Sequence, residues 1–149
     1  QCTAHPSMFG TINVLSAGGA STGLTSRTTA QASTGNILDG AVSNIQMTAV
    51  KTYALLKIQT SHAAWVTLYT SIPARSADSS RNETTDPLPG TGIIAEIITS
   101  DGAVQNITPG TIGWNDDTTP STNLYAKVVN KSGSSANITV TVHFVQIEA

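Results

Sequence analysis

The sequence predicts an all-β protein: an antiparallel β-sandwich or jelly roll with an extended N-terminal arm. Apolar and polar residues alternate with a period of two in several segments, and clusters of Gly, Pro, Asn and Asp separate those segments. Charged residues make up only 11% of the 149 residues, and much of the polar character comes from Ser and Thr, of which Thr favours strands. A chain of this length can form one domain with its own core.

The first forty residues are predicted to form the arm, and residues 41–149 the sandwich. Residues 17–36 consist mostly of Gly, Ser, Thr and Ala, the composition of a flexible or extended linker. Residues 11–16, which precede this stretch, alternate apolar and polar side chains and predict one short strand. An alternative is that residues 1–40 are an edge strand and loop of the same domain.

Three segments in the middle of the chain predict strands. TYALLKIQT, residues 52–60, alternates like a strand, although a helix also fits its spacing. AWVTLYTS, residues 64–71, alternates in the same way. IIAEIITS, residues 93–100, is apolar on nearly both faces, which is typical of a central strand covered on both sides.

The last third of the chain predicts two more strands. Apolar side chains recur at every second position on one face of each; they are Leu124, Ala126 and Val128 in the first strand, and Ile138, Val140, Val142 and Phe144 in the second. The connection KSGSSA is rich in turn residues, so these strands are predicted to pair as a hairpin. Asp101-Gly102 and Pro109-Gly110 predict two further turns.

The charge and the composition argue against several functions. The net charge is −2 and the seven basic residues are scattered, which argues against a nucleic-acid surface. No apolar run approaches the ~20 residues that span a bilayer, so no membrane partner is predicted. The lone Cys2 has no partner for an internal disulfide. His5, His62 and His143 lack metal-ligand spacing, and we predict neither a metal nor a cofactor.

Residues 64–100 concentrate the charge of the chain. Arg75, Asp78, Arg81, Glu83 and Asp86 are nearly a third of its sixteen charged residues. Carboxylates can act as a glycosidase acid–base pair when a cleft holds them apart. Salt bridges that pin the loop, or that fix a neighbouring subunit in register, explain these residues more simply. We therefore predict a subunit-interface loop and no catalytic residues.

Two tryptophans and two aspartates form a second candidate site. Trp65 or Trp114 could stack on a sugar ring if it lay exposed beside Asp116 and Asp117; burial in the core or at a subunit interface is the favoured alternative. The two aspartates could also supply oxygens to calcium. Their segment lacks the calcium-loop pattern and fits a turn better.

Residues 51–148 resemble small virion structural proteins of tailed bacteriophages, especially those of marine and cyanobacterial phages. The resemblance is carried by an ordered set of segments: YALLKIQTS, AWVTLYTS, ARSADSSR, TDPLPGTGIIAEIITS, ITPGTIGWNDD, LYAKVVNKSG and ITVTVHFVQIE. It implies a capsid decoration, head fibre or tail fibre/knob on the virion surface. Its implied partners are other virion proteins, either the major capsid protein or tail and fibre proteins, and it brings no catalytic motif.

The sequence therefore predicts a non-enzymatic structural subunit that assembles as a homo-oligomer, with a trimer favoured. One alternative is a glycan-binding module for host recognition. Another is an extracellular filament subunit, in which the N-terminal strand completes the sheet of a neighbour.

Overall fold

The computed structural model describes residues 26–149, which form a β-sandwich with one short helix. Its elements are β1 (Arg27–Ile37), β2 (Val42–Thr48), β3 (Thr52–Thr60), β4 (Ala64–Tyr69), α1 (Ile72–Ala77), β5 (Ile93–Thr99), β6 (Val104–Trp114), β7 (Asn123–Asn130) and β8 (Ala136–Glu148). The predicted all-β class and the antiparallel sandwich are confirmed.

Two four-stranded sheets make up the sandwich. The strand order is β1-β8-β3-β6 in the first sheet and β2-β7-β4-β5 in the second. Every pair of neighbouring strands is antiparallel. β1 contacts β2, and β5 contacts β6, so each edge strand of one sheet lies against an edge strand of the other.

The core lies between the sheets and is built from alternate positions of the strands. The predicted apolar faces of β7 and β8 point into it, and their members are almost completely buried: Leu124, Ala126, Val128, Ile138, Val140, Val142 and Phe144. Each large apolar side chain buried in this way contributes about 1.5–3 kcal/mol relative to an exposed position. The period of two therefore predicted the inner faces of both strands correctly.

The described part of the predicted arm belongs to the sandwich. Arg27–Ile37 pairs along β8 as the edge strand of the first sheet, and Ala30 is buried in the core. This corrects the boundary at residue 40 and agrees with the alternative of an edge strand in the same domain. The predicted strand at residues 11–16 lies outside the described residues.

β3 is a strand, as predicted, but a bulge interrupts its alternation. Its pairing with β6 and β8 shifts between Leu55 and Lys57, so Leu56 is an extra residue. Leu55 and Ile58 are therefore both buried, although a regular strand would place them on opposite faces. The turn predicted at Pro109-Gly110 is wrong. These two residues lie within β6, in the segment 107–110 that lies opposite the bulge.

β5 is an edge strand and not the central strand that its apolar sequence predicted. Ile97 points into the core, whereas Ile98 is 57% exposed on the outer face. The turn predicted at Asp101-Gly102 is confirmed: Gly102 has a φ of 64°, and the Ala103 amide donates to the Ser100 carbonyl at 3.1 Å.

The predicted hairpin between β7 and β8 is wrong, because the two strands belong to different sheets. Residues 131–135 cross from the second sheet to the first. Five residues reach roughly 16 Å when extended, enough for the ~10 Å between packed sheets. Turn-rich composition therefore predicted the chain reversal but not the sheet in which the chain continues.

Candidate functional site

A loop covers the central strands β4 and β7 on the outer face of the second sheet. We call residues 70–92, which include α1, the covering loop. All six residues of β4 are buried, because Val66 and Leu68 face the core while Trp65 and Tyr69 lie under this loop. The first turn of α1 is stabilised by Ser71, whose Oγ accepts from the Ala74 amide at 3.3 Å.

The Asp78 carboxylate is the centre of the contacts beneath the covering loop. It accepts hydrogen bonds from the Tyr69 hydroxyl at 2.6 Å, from Arg81 Nε at 2.6 Å and from Lys127 Nζ at 3.0 Å. Lys127 Nζ also donates to the Asp78 backbone carbonyl at 2.7 Å. Lys127 is only 2% exposed, so Asp78 neutralises a lysine buried in β7.

Arg81 extends these contacts to β5 and to the backbone of the loop. Its guanidinium pairs with Glu96 as well as with Asp78, and its Nη1 donates to the Thr85 carbonyl at 2.9 Å. The guanidinium carbon lies 5.3 Å from the centre of the Trp65 ring, and Lys127 Nζ lies 4.6 Å from it. Two cations therefore lie close to the ring of the buried Trp65, and each such contact is favourable when the cation is desolvated.

These contacts hold each group in its ordinary charge state. Burial by itself would raise the pKa of Asp78, but hydrogen bonds from Arg81, Tyr69 and Lys127 outweigh it and lower the pKa to about 2. Hydrogen bonds to Asp78 and Glu96 raise the pKa of Arg81. Burial, with the hydrogen bond to Asp78, raises the pKa of Tyr69. The carboxylate, the guanidinium and the neutral phenol are all stabilised.

The remaining charged residues of the covering loop differ in their contacts. Arg75 donates from Nη1 to the Ile45 carbonyl at 2.9 Å. Glu83 pairs with Lys131 at 2.9 Å in a partly exposed bridge of the kind that contributes about 0–1 kcal/mol. Asp86 is exposed and makes no hydrogen bond or ion pair within residues 26–149. Asp78 and Arg81 are therefore engaged inside the chain, and the subunit-interface role of all five stays a prediction.

Lys127 and Glu96 complete the ion pairs, and neither was among the residues predicted from the sequence. Each is the one charged residue of an otherwise uncharged strand, LYAKVVN in β7 and IIAEIIT in β5. A single charge among apolar residues signals a buried partner, because an unpaired buried charge is costly. The sequence carries this signal, but it does not say which loop supplies the partner.

The structure separates the two candidate tryptophans. Trp65 is 5% exposed beneath Arg81, so it is not available to a sugar ring. Trp114 is 47% exposed and lines a groove of about 420 Å³ together with Thr70, Asp116 and residues 87–93. We call this the Trp114 groove. Of the four predicted glycan contacts, it brings together Trp114 and Asp116.

Asp117 is engaged in the turn that follows β6. Its carboxylate accepts from the Tyr125 hydroxyl at 2.5 Å and from Asn115 Nδ2 at 3.0 Å. The buried Asn115 in turn accepts at Oδ1 from the amides of Asp117, at 3.2 Å, and Ser121, at 2.9 Å. These contacts stabilise the wall of the Trp114 groove and match the turn interpretation of the two aspartates.

Comparisons with known proteins identify no family for the chain. No protein-family model matches it, and no curated protein matches it significantly. Within residues 26–149, no cluster of three or more His, Cys, Asp or Glu side chains is arranged to hold a metal ion. The same residues include no helix long and apolar enough to cross a membrane.

Proposed function

We propose that the chain is a non-enzymatic structural subunit of a phage virion, a capsid decoration, head fibre or tail fibre/knob. In this proposal it lies on the virion surface as a homo-oligomer, with a trimer favoured, bound to other virion proteins. The proposal starts from the resemblance carried by residues 51–148. The structural observation that supports this proposal most strongly is the strand pairing of the sandwich.

The pairing is nested, and it supports assignment of the sandwich as a jelly roll. β1 pairs with β8, β2 with β7, β3 with β6 and β4 with β5. This is one long hairpin of paired strands folded over into two sheets of four. Eight-stranded jelly rolls of this kind form viral capsid and lectin domains. Because one fold serves many functions, surface features must support the proposal as well.

The chemistry of the covering loop supports a structural role. A catalytic carboxylic acid needs a pKa close to the working pH, which usually means a raised value. Asp78 has a pKa of about 2, and its neighbours stabilise the charged form. The loop is therefore suited to holding a fixed shape and not to transferring protons.

The outer face of the first sheet offers a surface for a second copy of the chain. Ile112, Ala54 and Val145 lie side by side on adjacent strands β6, β3 and β8. Ile112 is 50% exposed, and Ile147 is also exposed nearby. Apolar side chains aligned in this way lose contact with water when identical subunits meet.

The oligomer is tested by mass measurement in solution. Size-exclusion chromatography with light scattering should give a homo-oligomer for the wild-type chain and a monomer for Ile112→Lys. Val42→Lys is the matched control, because Val42 is 52% exposed on a strand of the other sheet. A wild-type monomer at high concentration, or equal effects of the two variants, would contradict the proposed interface.

A second candidate function, glycan binding for host recognition, is favoured by the Trp114 groove. The half-exposed ring of Trp114 offers an apolar stacking face, and the exposed Asp116 supplies hydrogen-bond acceptors on the same groove. The groove is within the size range of small-molecule sites. The backbone at Asp116 is held in place, because its amide donates to the Thr70 carbonyl at 2.8 Å.

A glycan array followed by calorimetry tests this candidate. Trp114→Ala should abolish binding to any glycan found, whereas Ile147→Ala, which removes another exposed apolar side chain, should leave the affinity unchanged. Absence of binding across the array, or full affinity in Trp114→Ala, would remove it. The filament alternative depends on residues 11–16, which lie outside the described residues.

A further inference from the structure

A small cavity on the outer face of the first sheet gathers basic side chains from three strands. It measures about 290 Å³ and is lined by Arg27 of β1, Leu56 and Lys57 of β3, Asn106 of β6 and His143 of β8. We call it the Lys57 cavity. The Trp114 groove has none of these lining residues, so the two are separate sites.

The strand register brings these side chains together. Lys57 lies directly opposite His143 on one side and Asn106 on the other. Its place next to the extra residue Leu56 puts it beside the bulge of β3. The Lys57 ammonium and the Arg27 guanidinium line the same cavity, and an anion bound between them would reduce the repulsion between these two positive charges.

The basic groups of the Lys57 cavity have no acidic partner. No carboxylate lines the cavity. Within residues 26–149, the side chains of Lys57 and Arg27 make no hydrogen bond or ion pair, whereas those of Lys127 and Lys131 each pair with a carboxylate. His143 Nε2 is buried without a hydrogen-bond partner. A buried polar atom without a partner, next to two cations that no carboxylate neutralises, points to a ligand of opposite charge.

We propose that the Lys57 cavity binds an oxyanion: a carboxylate, a sulfate or a phosphate group. Arg27 presents a planar fork of donors, and Lys57 presents a compact positive charge. The Asn106 amide can add a neutral donor. The volume of about 290 Å³ admits such a group, either as a free ion or as the acidic end of a larger molecule.

His143 provides a reporter for this site. Burial, followed by the positive charge of Lys57, lowers its pKa below the ordinary value. Lys57 of β3 and Arg27 of β1 are the charged groups that line the cavity with it. A bound anion would offset both cations and favour the imidazolium, so binding should raise the pKa of His143 and should tighten as the pH falls.

The test is an NMR titration of the imidazole groups in the full-length chain. Sodium sulfate, sodium acetate and sodium glucuronate are compared with sodium chloride at equal ionic strength, and His62 serves as the internal reference. At least one oxyanion should raise the pKa of His143 by about one unit, as an opposite charge nearby does, and should leave His62 unchanged. Equal responses of His143 and His62 to every oxyanion would overturn the proposal.

A pair of lysine variants provides the control. Lys57→Met should remove the anion-dependent shift of His143 and weaken sulfate binding at least tenfold. Lys51→Met, the same change outside the cavity, should alter neither quantity. If Lys51→Met weakens binding as much as Lys57→Met, the effect is general charge screening and the proposal fails. The oxyanion that binds most tightly then identifies the ligand class. Tighter binding of sulfate indicates a tetrahedral ion, and tighter binding of acetate and glucuronate indicates a carboxylate.

Discussion

Asp78→Ala tests how the covering loop is held on the second sheet. The substitution removes the carboxylate that pairs with Arg81 and Lys127 and that accepts from Tyr69. Lys127 keeps the backbone carbonyl of residue 78 and the face of Trp65. Arg81 keeps Glu96. The variant therefore leaves one almost fully buried cation without a counter-ion, and the loop loses its main anchor.

The expected loss of stability is large for one side chain. Removing one partner of a buried ion pair costs about 3–5 kcal/mol, because the other charge stays buried and uncompensated. The contacts that remain to Lys127 and Arg81 place the estimate near the lower end, about 3 kcal/mol. For a chain of this size, that corresponds to a melting temperature lower by about 10 °C.

Chemical denaturation of matched variants provides the assay. Asp86→Ala removes the same side chain from the same loop at an exposed position that has no partner within residues 26–149, and should change stability by less than about 0.5 kcal/mol. Adding Lys127→Met to Asp78→Ala removes the unpaired cation and should restore about 1–3 kcal/mol. If Asp78→Ala costs no more than Asp86→Ala, or if the double variant recovers nothing, the loop is not held by these ion pairs.

Two further predictions follow from the same contacts and from the core. The pKa of Asp78 falls from 3.8 to about 2 on folding, so its stabilisation of about 2 kcal/mol is complete above pH 4 and is lost as the pH falls towards 2. Urea unfolding at pH 5 and at pH 2 measures this loss, and an equal loss in Asp78→Ala would refute it. Gly113→Ala would place a methyl group against the ring of Tyr53 and should cost about 1–3 kcal/mol, whereas Gly110→Ala, with only open space or ordinary contacts nearby, should cost much less. Equal thermal shifts for the two glycine variants would show that the ring moves aside freely.

Local sequence pattern was sufficient for the strands and their inner faces. Residues 52–60, 64–69 and 138–144 alternate with a period of two, and the structure has a strand at each. This succeeds because one face of each strand packs into the core, and burial selects apolar side chains at every second position. At Leu56 the pattern fails, since one extra residue reverses the faces that follow.

The pairing of the strands could not be predicted from local sequence pattern. β1 pairs with β8, so contacts between the first and last strands decide the arrangement, and no local signal records them. The connection KSGSSA has the composition of a hairpin, yet it links the two sheets. IIAEIITS has the composition of a central strand, yet it forms an edge with Ile98 exposed.

The candidate sites were predicted in part. The concentration of charge at residues 75–86 indicated salt bridges within the loop, and Asp78–Arg81 is one. Lys127, which lies 49 residues from Asp78 in sequence, could be recognised only as a lone charge in an apolar strand. The two tryptophans differ in exposure, because Trp65 lies under the covering loop and Trp114 lies at the edge of a groove.

The central claim, a structural subunit of a virion, is tested most directly by imaging purified particles of a phage that encodes the chain. Cryo-electron microscopy with mass spectrometry of the same particles should show the sandwich in several symmetry-related copies at the surface. The outer face of the first sheet should lie against a neighbouring copy, with Ile112 covered. Particles that lack the chain, or that carry it as isolated single copies with Ile112 in solvent, would contradict the account.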